Sequence, residues 1–163
     1  IYAYHDYVED VETLERLFDT EDRWAVNIPV LLGCVDNNRS RQVFHQFFDR
    51  ADNLIYIDSG NTTYGGQVIM GVKADGKEIL PPAGRIYKEM LTDKDMFKSE
   101  ESCAENYHRY PQLQVTNEKA ADAMTNLLHN LMLYRCTDVY RIEFNTRTIA
   151  QQPHFIDELI SKQ

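Results

Sequence analysis

The sequence predicts an α/β protein, a single domain in which a mixed β-sheet carries helices on its faces. Three observations predict this fold class. In the first half, apolar runs of strand length alternate with stretches of helical periodicity, which is typical of βα units. Residues 65–80 contain two strand-like runs around Asp75-Gly76, a dipeptide typical of an antiparallel hairpin. The chain of 163 residues is long enough for one sizeable hydrophobic core.

The first half is predicted to contain two helices among its strands. Asp10 precedes a run whose apolar residues recur at helical spacing, so we expect a helix over 11–18 capped by this carboxylate. A second helix is predicted over 41–51, where four apolar side chains share one face. The apolar runs around these helices predict strands. The expected strands cover residues 1–5, 24–35, 53–58, 65–72 and 78–80.

The second half begins at Pro81-Pro82 with a change to polar, weakly periodic sequence. This segment predicts a crossover loop over 81–116 with one helical turn at 86–91. A strongly amphipathic run then predicts a helix over 117–134. Alternation predicts a strand over Val139–Asn145. The expected chain then continues this strand over 146–150 after a turn and ends in a short helix over 155–160.

The charge and cysteine content limit the classes of function. A net charge of −9 and a pI near 5.0 argue against general binding to nucleic acids or anionic membranes. No apolar stretch approaches the roughly 20 residues that span a bilayer. The three cysteines have no metal-ligand spacing, which favours a reduced, cytoplasmic compartment. Because the chain starts at Ile1 rather than Met, we expect the natural N-terminus to lie upstream.

The stretch from Pro29 to Gln42 carries the most information about function. An apolar run reaches Gly33, and an acidic-amide turn then leads into a helix. In open α/β sheets, ligands bind in the crevice outside the carboxyl ends of the strands. Asp36 is therefore expected where Mg²⁺ and a nucleotide phosphate would bind, since Mg²⁺ prefers carboxylate oxygens shared with substrate phosphates. The alternative is that Asp36 only caps the helix that follows it.

Cys103 is the candidate nucleophile among the cysteines. It lies in a polar segment, and His108 follows five residues later as a possible base that would favour the thiolate. Three nearby glutamates would raise the pKa of this thiol, so the alternative is a cysteine that only anchors the crossover loop. Cys34 is predicted to be a buried core thiol, and Cys136 is predicted to have no chemical role.

An ordered set of motifs resembles the ThiF/MoeB superfamily, to which ubiquitin-activating enzymes belong, and is most similar to ThiF-like proteins of bacterial mobile-element gene clusters. The resemblance covers roughly residues 1–150. Its strongest part is the Asp-Asn-x-x-x-Arg motif at 36–41. The other matching segments are Ile57-Asp58-Ser59-Gly60, Gly65-Gly66-Gln67-Val68, Ser102-Cys103-Ala104-Glu105, Pro111-Gln112 and Asn117 before an Ala-rich helix.

The resemblance implies a Rossmann-like mixed sheet and an ATP-dependent reaction. Members of the family bind ATP and Mg²⁺ and adenylate the C-terminal carboxylate of a ubiquitin-like or sulfur-carrier protein, as homodimers. By analogy, Asp36 approaches the Mg²⁺ and the triphosphate, and Asn37 shapes the same edge. Arg41 is structural or faces a phosphate, and Cys103 corresponds to the region of the acceptor cysteine.

The sequence also departs from the family. The Gly-x-Gly-x-x-Gly nucleotide loop is missing from the chain, which has only seven glycines. The resemblance therefore covers the C-terminal part of a ThiF-like domain, expected to be truncated at its N-terminus. The alternative function is a non-catalytic ThiF-fold interaction or scaffold module. A dinucleotide-dependent oxidoreductase fragment is a third possibility, although the sequence offers no residue set for hydride transfer.

Overall fold

The computed structural model describes residues 3–18, 28–94 and 113–161. The elements in chain order are α1 (Val11–Phe18), β1 (Val30–Gly33), α2 (Asn38–Arg50), β2 (Leu54–Asn61), β3 (Gly65–Ala74), β4 (Lys77–Leu80), α3 (Ala83–Ile86), a 3₁₀ helix (Lys88–Leu91), α4 (Gln114–Tyr134), β5 (Val139–Asn145), β6 (Ala150–Phe155) and α5 (Ile156–Ile160).

One mixed sheet of six strands organises the described residues. Its strand order is β1-β2-β3-β5-β6, and β4 pairs with β3 outside this path. Strands β1 and β2 are parallel and are joined through α2, whereas all other pairs are antiparallel. The predicted α/β class with a mixed sheet is confirmed. Since β1 and β2 are parallel, their carboxyl ends meet at one edge of the sheet, beside the first turn of α2.

Helices cover both faces of the sheet because strand side chains alternate between the two faces. On one face, Leu31, Leu54 and Tyr56 pack with apolar residues of α1 and α2. On the other, Ile57 and Met70 belong to the core that contains the inner side of α4. The buried apolar face predicted for α2 is confirmed, whereas α4 buries only part of the apolar residues predicted to share its face, because Ala121 and Met132 are exposed. The buried residues of α2 on this face are Val43, Phe44, Phe47 and Phe48, and those of α4 are Ala120, Ala123, Met124 and Leu127.

Local signals correctly predict a cap and a turn. The backbone N–H of Thr13 donates to Asp10 Oδ1 over 2.6 Å, so Asp10 caps α1 as expected. Asp75 and Gly76 have φ values of +49° and +71° and connect β3 to β4. Two successive left-handed residues are the requirement of a type I′ hairpin turn, which a residue pair such as Asp-Gly meets at low cost.

Several predicted bounds near the N-terminus differ from the structure. Residues 3–5 of the predicted first strand are exposed and form no strand, and residues 1–2 lie outside the described part. The second predicted strand, 24–35, is a strand only over Val30–Gly33, and residues 24–27 are likewise outside the described part. Pro29 lacks an N–H, although its carbonyl still accepts from the N–H of Ile55. Helix α2 begins three residues earlier than predicted, at Asn38, because Asn37 caps it.

The predicted crossover loop over 81–116 also contains more structure than expected in its described residues. Two short helical segments, Ala83–Ile86 and Lys88–Leu91, replace the single predicted turn. Gln42 of α2 holds this stretch, because its amide donates to the carbonyls of Met90 and Asp93. Helix α4 begins at Gln114 rather than 117. The continuation expected over 146–150 is a turn followed by the antiparallel strand β6, while the short C-terminal helix is confirmed.

Candidate functional site

A cavity of about 490 Å³ lies at the carboxyl ends of the parallel strands β1 and β2. The first turn of α2 forms one wall, and α4 supplies an apolar wall that includes Ala121 and Met124. This volume falls within the range of small-molecule sites, roughly 300–1,000 Å³. The polar lining residues are Tyr7, Asp36, Asn37, Ser40, Arg41, Ser59, Asn61 and Asn117. Three residues of the sequence motif, at positions 36, 37 and 41, therefore line one cavity.

Asp36 and Asn37 have different structural roles at the start of α2. The N-cap is Asn37, whose side-chain oxygen accepts from the N–H of Ser40 over 2.8 Å. Asn37 rather than Asp36 is therefore the N-cap residue, and the exposed carboxylate of Asp36 lines the cavity. The first turn of a helix also presents unbonded N–H groups and a partial positive charge, which favour an anion. This wall of the cavity thus combines a carboxylate with a helix terminus.

Arg41 ties the ends of the two parallel strands together. Only 9% of this residue is exposed. Its Nη2 atom donates to the carbonyl of Val35 over 2.6 Å and to that of Ser59 over 2.7 Å. Its Nε atom lies 3.2 Å from Asp58 Oδ2 in a buried ion pair. Of the two roles that the resemblance leaves open for Arg41, these contacts describe the structural one, because the guanidinium is occupied by protein groups.

Asp58 is a buried neighbour of the site that sequence reasoning did not single out, although it lies in the matching segment Ile57-Asp58-Ser59-Gly60. It is 4% exposed, and the Tyr56 hydroxyl donates to its Oδ1 over 3.0 Å. Burial raises the pKa of Asp58, while Arg41 and these hydrogen bonds oppose the rise. Gly33 lies opposite it, and a Cβ atom there would stand 2.6 Å from Asp58 Oδ1. An acidic residue that directly follows the apolar run over 54–57 is the signal that could have revealed it.

The charges around the cavity limit what it can bind. Asp36 and Arg41 are the ionised side chains among its described lining residues, and Arg41 is already paired. Phosphate groups in this cavity would therefore need a cation that these residues do not supply. No group of three His, Cys, Asp or Glu side chains within the described ranges could hold a metal alone. A Mg²⁺ ion held by Asp36 and by substrate phosphates fits this donor set.

The cysteines differ from their predicted positions. Cys34 was expected in the core but is exposed at the edge of the cavity, where its Sγ lies 3.6 Å from Met124 Sδ. The strand ends at Gly33, so Cys34 has left the apolar sheet. Partial burial, and then the charge of Asp58, raise the pKa of its thiol. Cys136 is exposed. Cys103 and His108 lie outside the described residues, so the predicted nucleophile stays a prediction.

A second polar cluster lies farther along α2. His45 is 4% exposed, and its Nε2 atom lies 2.8 Å from Arg85 Nη1. Because arginine only donates, His45 Nε2 must accept, and its proton must reside on Nδ1. That atom is buried without a partner, close to Gly84. Arg85 also pairs with Asp49 and Glu78, so the cluster joins α2 to α3 and β4.

This cluster predicts a loss of stability in mild acid. Burial lowers the pKa of His45 below 6.5, and Arg85 lowers it further against the opposing charges of Asp49 and Glu78. The folded protein therefore binds fewer protons than the unfolded chain as the pH falls from 6.5 to the lower folded pKa. Urea unfolding should show stability falling through this window, and His45→Gln should flatten the slope. The exposed His129→Gln is the control, and an unchanged slope in His45→Gln would contradict the prediction.

Comparison with protein-family models and with curated proteins finds no match to this chain. None of the described helices is both long and apolar enough to cross a membrane.

Proposed function

We propose that the cavity at the carboxyl ends of β1 and β2 binds Mg²⁺ and a nucleotide, as part of an ATP-dependent adenylating enzyme. Its substrate would be the C-terminal carboxylate of a ubiquitin-like or sulfur-carrier protein. The observation that carries the proposal is the position of Asp36, which lines a cavity of about 490 Å³ between the first turn of α2 and α4. Carboxyl edges of parallel strands are where α/β sheets bind nucleotides.

The proposed reaction is an acyl adenylation. A carboxylate oxygen of the carrier attacks the α-phosphorus of ATP, the bond to the β-phosphate breaks, and pyrophosphate leaves. Bound Mg²⁺ would offset the negative charge that accumulates as these groups meet. Asp36 would hold the cation, the N–H groups beside Asn37 would face the anion, and Arg41 would keep the strand ends fixed. Cys103 would then accept the acyl group as a thioester, which releases AMP.

Pyrophosphate exchange tests this proposal. The protein is incubated with Mg²⁺, ATP, labelled pyrophosphate and a panel of ubiquitin-like and sulfur-carrier proteins. We expect exchange into ATP that depends on the carrier and is lost in Asp36→Ala. Asp52→Ala, an exposed change just after α2, is the matched control and should keep the exchange. Cys103→Ala should also keep it, because the thioester forms later. Full exchange in Asp36→Ala would contradict the proposal.

A non-catalytic interaction module is the second candidate, and the commitment of Arg41 to protein groups favours it. The chain also has no Gly-x-Gly-x-x-Gly loop. Such a module would share the fold and act as a scaffold or partner subunit, and exchange would be absent with every carrier. Either function is proposed for the cytoplasm and for a homodimer.

Weak nucleotide binding is a prediction common to both candidates for these 163 residues alone. Among the described lining residues, Arg41 is the cation and it is already paired, so these residues would offer the triphosphate too little positive charge. Calorimetric titration with Mg²⁺ and ATP should give an affinity weaker than micromolar. A micromolar dissociation constant would contradict the prediction.

A further inference from the structure

We propose that Asp58 is a positioning residue that orders the mouth of the cavity by acting through Arg41. The ordering of the cavity mouth requires no nucleotide. Only its consequence for ligand binding at Asp36 rests on the proposed function. Asp58 is not among the residues that line the cavity of about 490 Å³, so its effect on that cavity must pass through a neighbour. It borders a separate cavity of about 160 Å³ on the other side of Arg41.

The contacts form one continuous path from Asp58 to the backbone beside Asp36. Asp58 Oδ2 lies 3.2 Å from Arg41 Nε in a buried ion pair, although Nε makes no hydrogen bond of good geometry. Nη2 of the same guanidinium donates to the carbonyl of Val35, the residue immediately before Asp36. The same atom donates to the carbonyl of Ser59, which also lines the cavity. One carboxylate thus sets the spacing of the two strand ends between which the cavity opens.

The surroundings of Asp58 restrict its orientation. The Tyr56 hydroxyl donates to the oxygen that does not contact Arg41 Nε. The lack of a Cβ at Gly33 leaves room for that same oxygen. Arg41 Nη1 donates to Asn38 Oδ1 in the first turn of α2. Both ends of the path are therefore constrained.

Amide hydrogen exchange, read by mass spectrometry without nucleotide, tests the inference. In Asp58→Asn we expect exchange of residues 34–37 and 59–61 to accelerate at least about tenfold, because the buried ion pair with Arg41 is lost. Residues of α4 and β5 should keep their rates. Tyr56→Phe, which removes only the hydroxyl donor, should give a smaller change at the same segments and remains informative if Asp58→Asn fails to fold. Asp49→Asn, which removes another partner of an arginine on the same face, is the matched control.

A double substitution tests whether the effect passes through Arg41. An Arg41→Lys background replaces the planar guanidinium, whose separate nitrogens face the carbonyls and the carboxylate, with a single ammonium nitrogen that lacks this geometry. Adding Asp58→Asn there should therefore change the exchange at 34–37 and 59–61 much less than it does beside the native arginine. Equal changes in both backgrounds, or acceleration spread evenly over the sheet, would overturn the inference. Local acceleration combined with absent pyrophosphate exchange would instead leave the positioning role intact and remove only the proposed reaction.

Discussion

Replacing Arg41 with methionine should lower the free energy of unfolding by about 3–5 kcal/mol. The substitution leaves Asp58 as a buried carboxylate without its cation and removes the donor from two backbone carbonyls. Breaking a buried pair costs far more than the pair contributes, because the remaining charge keeps its desolvation penalty. Urea unfolding followed by circular dichroism would measure the change.

Arg50→Met is the matched control for this prediction. Arg50 lies on the same helix and contacts two carboxylates, those of Glu12 and Glu15, but all three side chains are substantially exposed. Exposed pairs contribute little, since water already solvates both charges. The control should therefore remain close to the native stability. Similar losses in both variants would contradict the claim that burial of the Arg41–Asp58 pair determines the effect.

The pH dependence of Arg41→Met provides a second check. Without the guanidinium, burial is left to raise the pKa of Asp58 with less opposition than in the native protein. The folded variant then binds more protons than its unfolded chain, so its stability relative to the native protein should recover as the pH falls. A deficit that is constant from neutral to acid pH would show that lost carbonyl contacts, rather than the stranded carboxylate, cause the destabilisation.

The sequence predicts the parts of this fold that depend on local patterns. The α2 and α4 faces follow from helical spacing, and the Asp75-Gly76 turn follows from the backbone freedom of its residues. Strand bounds are predicted less well. An apolar run such as 24–35 can only show that residues are suited to burial, whereas the strand itself requires a partner. Within the described part of this run, the neighbour β2 supplies register partners for Val30–Gly33.

The candidate site, like the fold, could be predicted from the sequence only in part. Asp36 reaches the carboxyl edge of β1 as predicted, because chain direction in a parallel βαβ unit decides which end a turn occupies. The capping role of Asn37 was not predicted, and the role of Arg41 was left open between two alternatives, since both depend on where α2 begins and on which carbonyls it approaches. Asp58 was missed because its partners are Arg41, distant in sequence, and Tyr56 two residues away on the same strand face.

Phe48→Ala should have an effect of similar size to Arg41→Met, about 3–5 kcal/mol of unfolding free energy, through a different cause. Phe48 is 0% exposed in the core between α2, α1 and the sheet. Truncation removes the transfer free energy of the ring and leaves a void that the close-packed neighbours fill only in part. Urea unfolding should show a lower midpoint with an unchanged slope, because the surface exposed on unfolding stays nearly the same.

Leu133→Ala is the control, because Leu133 is 61% exposed on α4 and alanine suits a helix, so its change should stay within about 0.5 kcal/mol. The stability losses of Phe48→Ala and Arg41→Met should also differ from each other at acid pH. Phe48→Ala adds no titratable group, so its deficit should stay constant with pH, whereas that of Arg41→Met should shrink. If both deficits followed the same pH course, the assignment of one to a cavity and the other to a stranded carboxylate would be wrong.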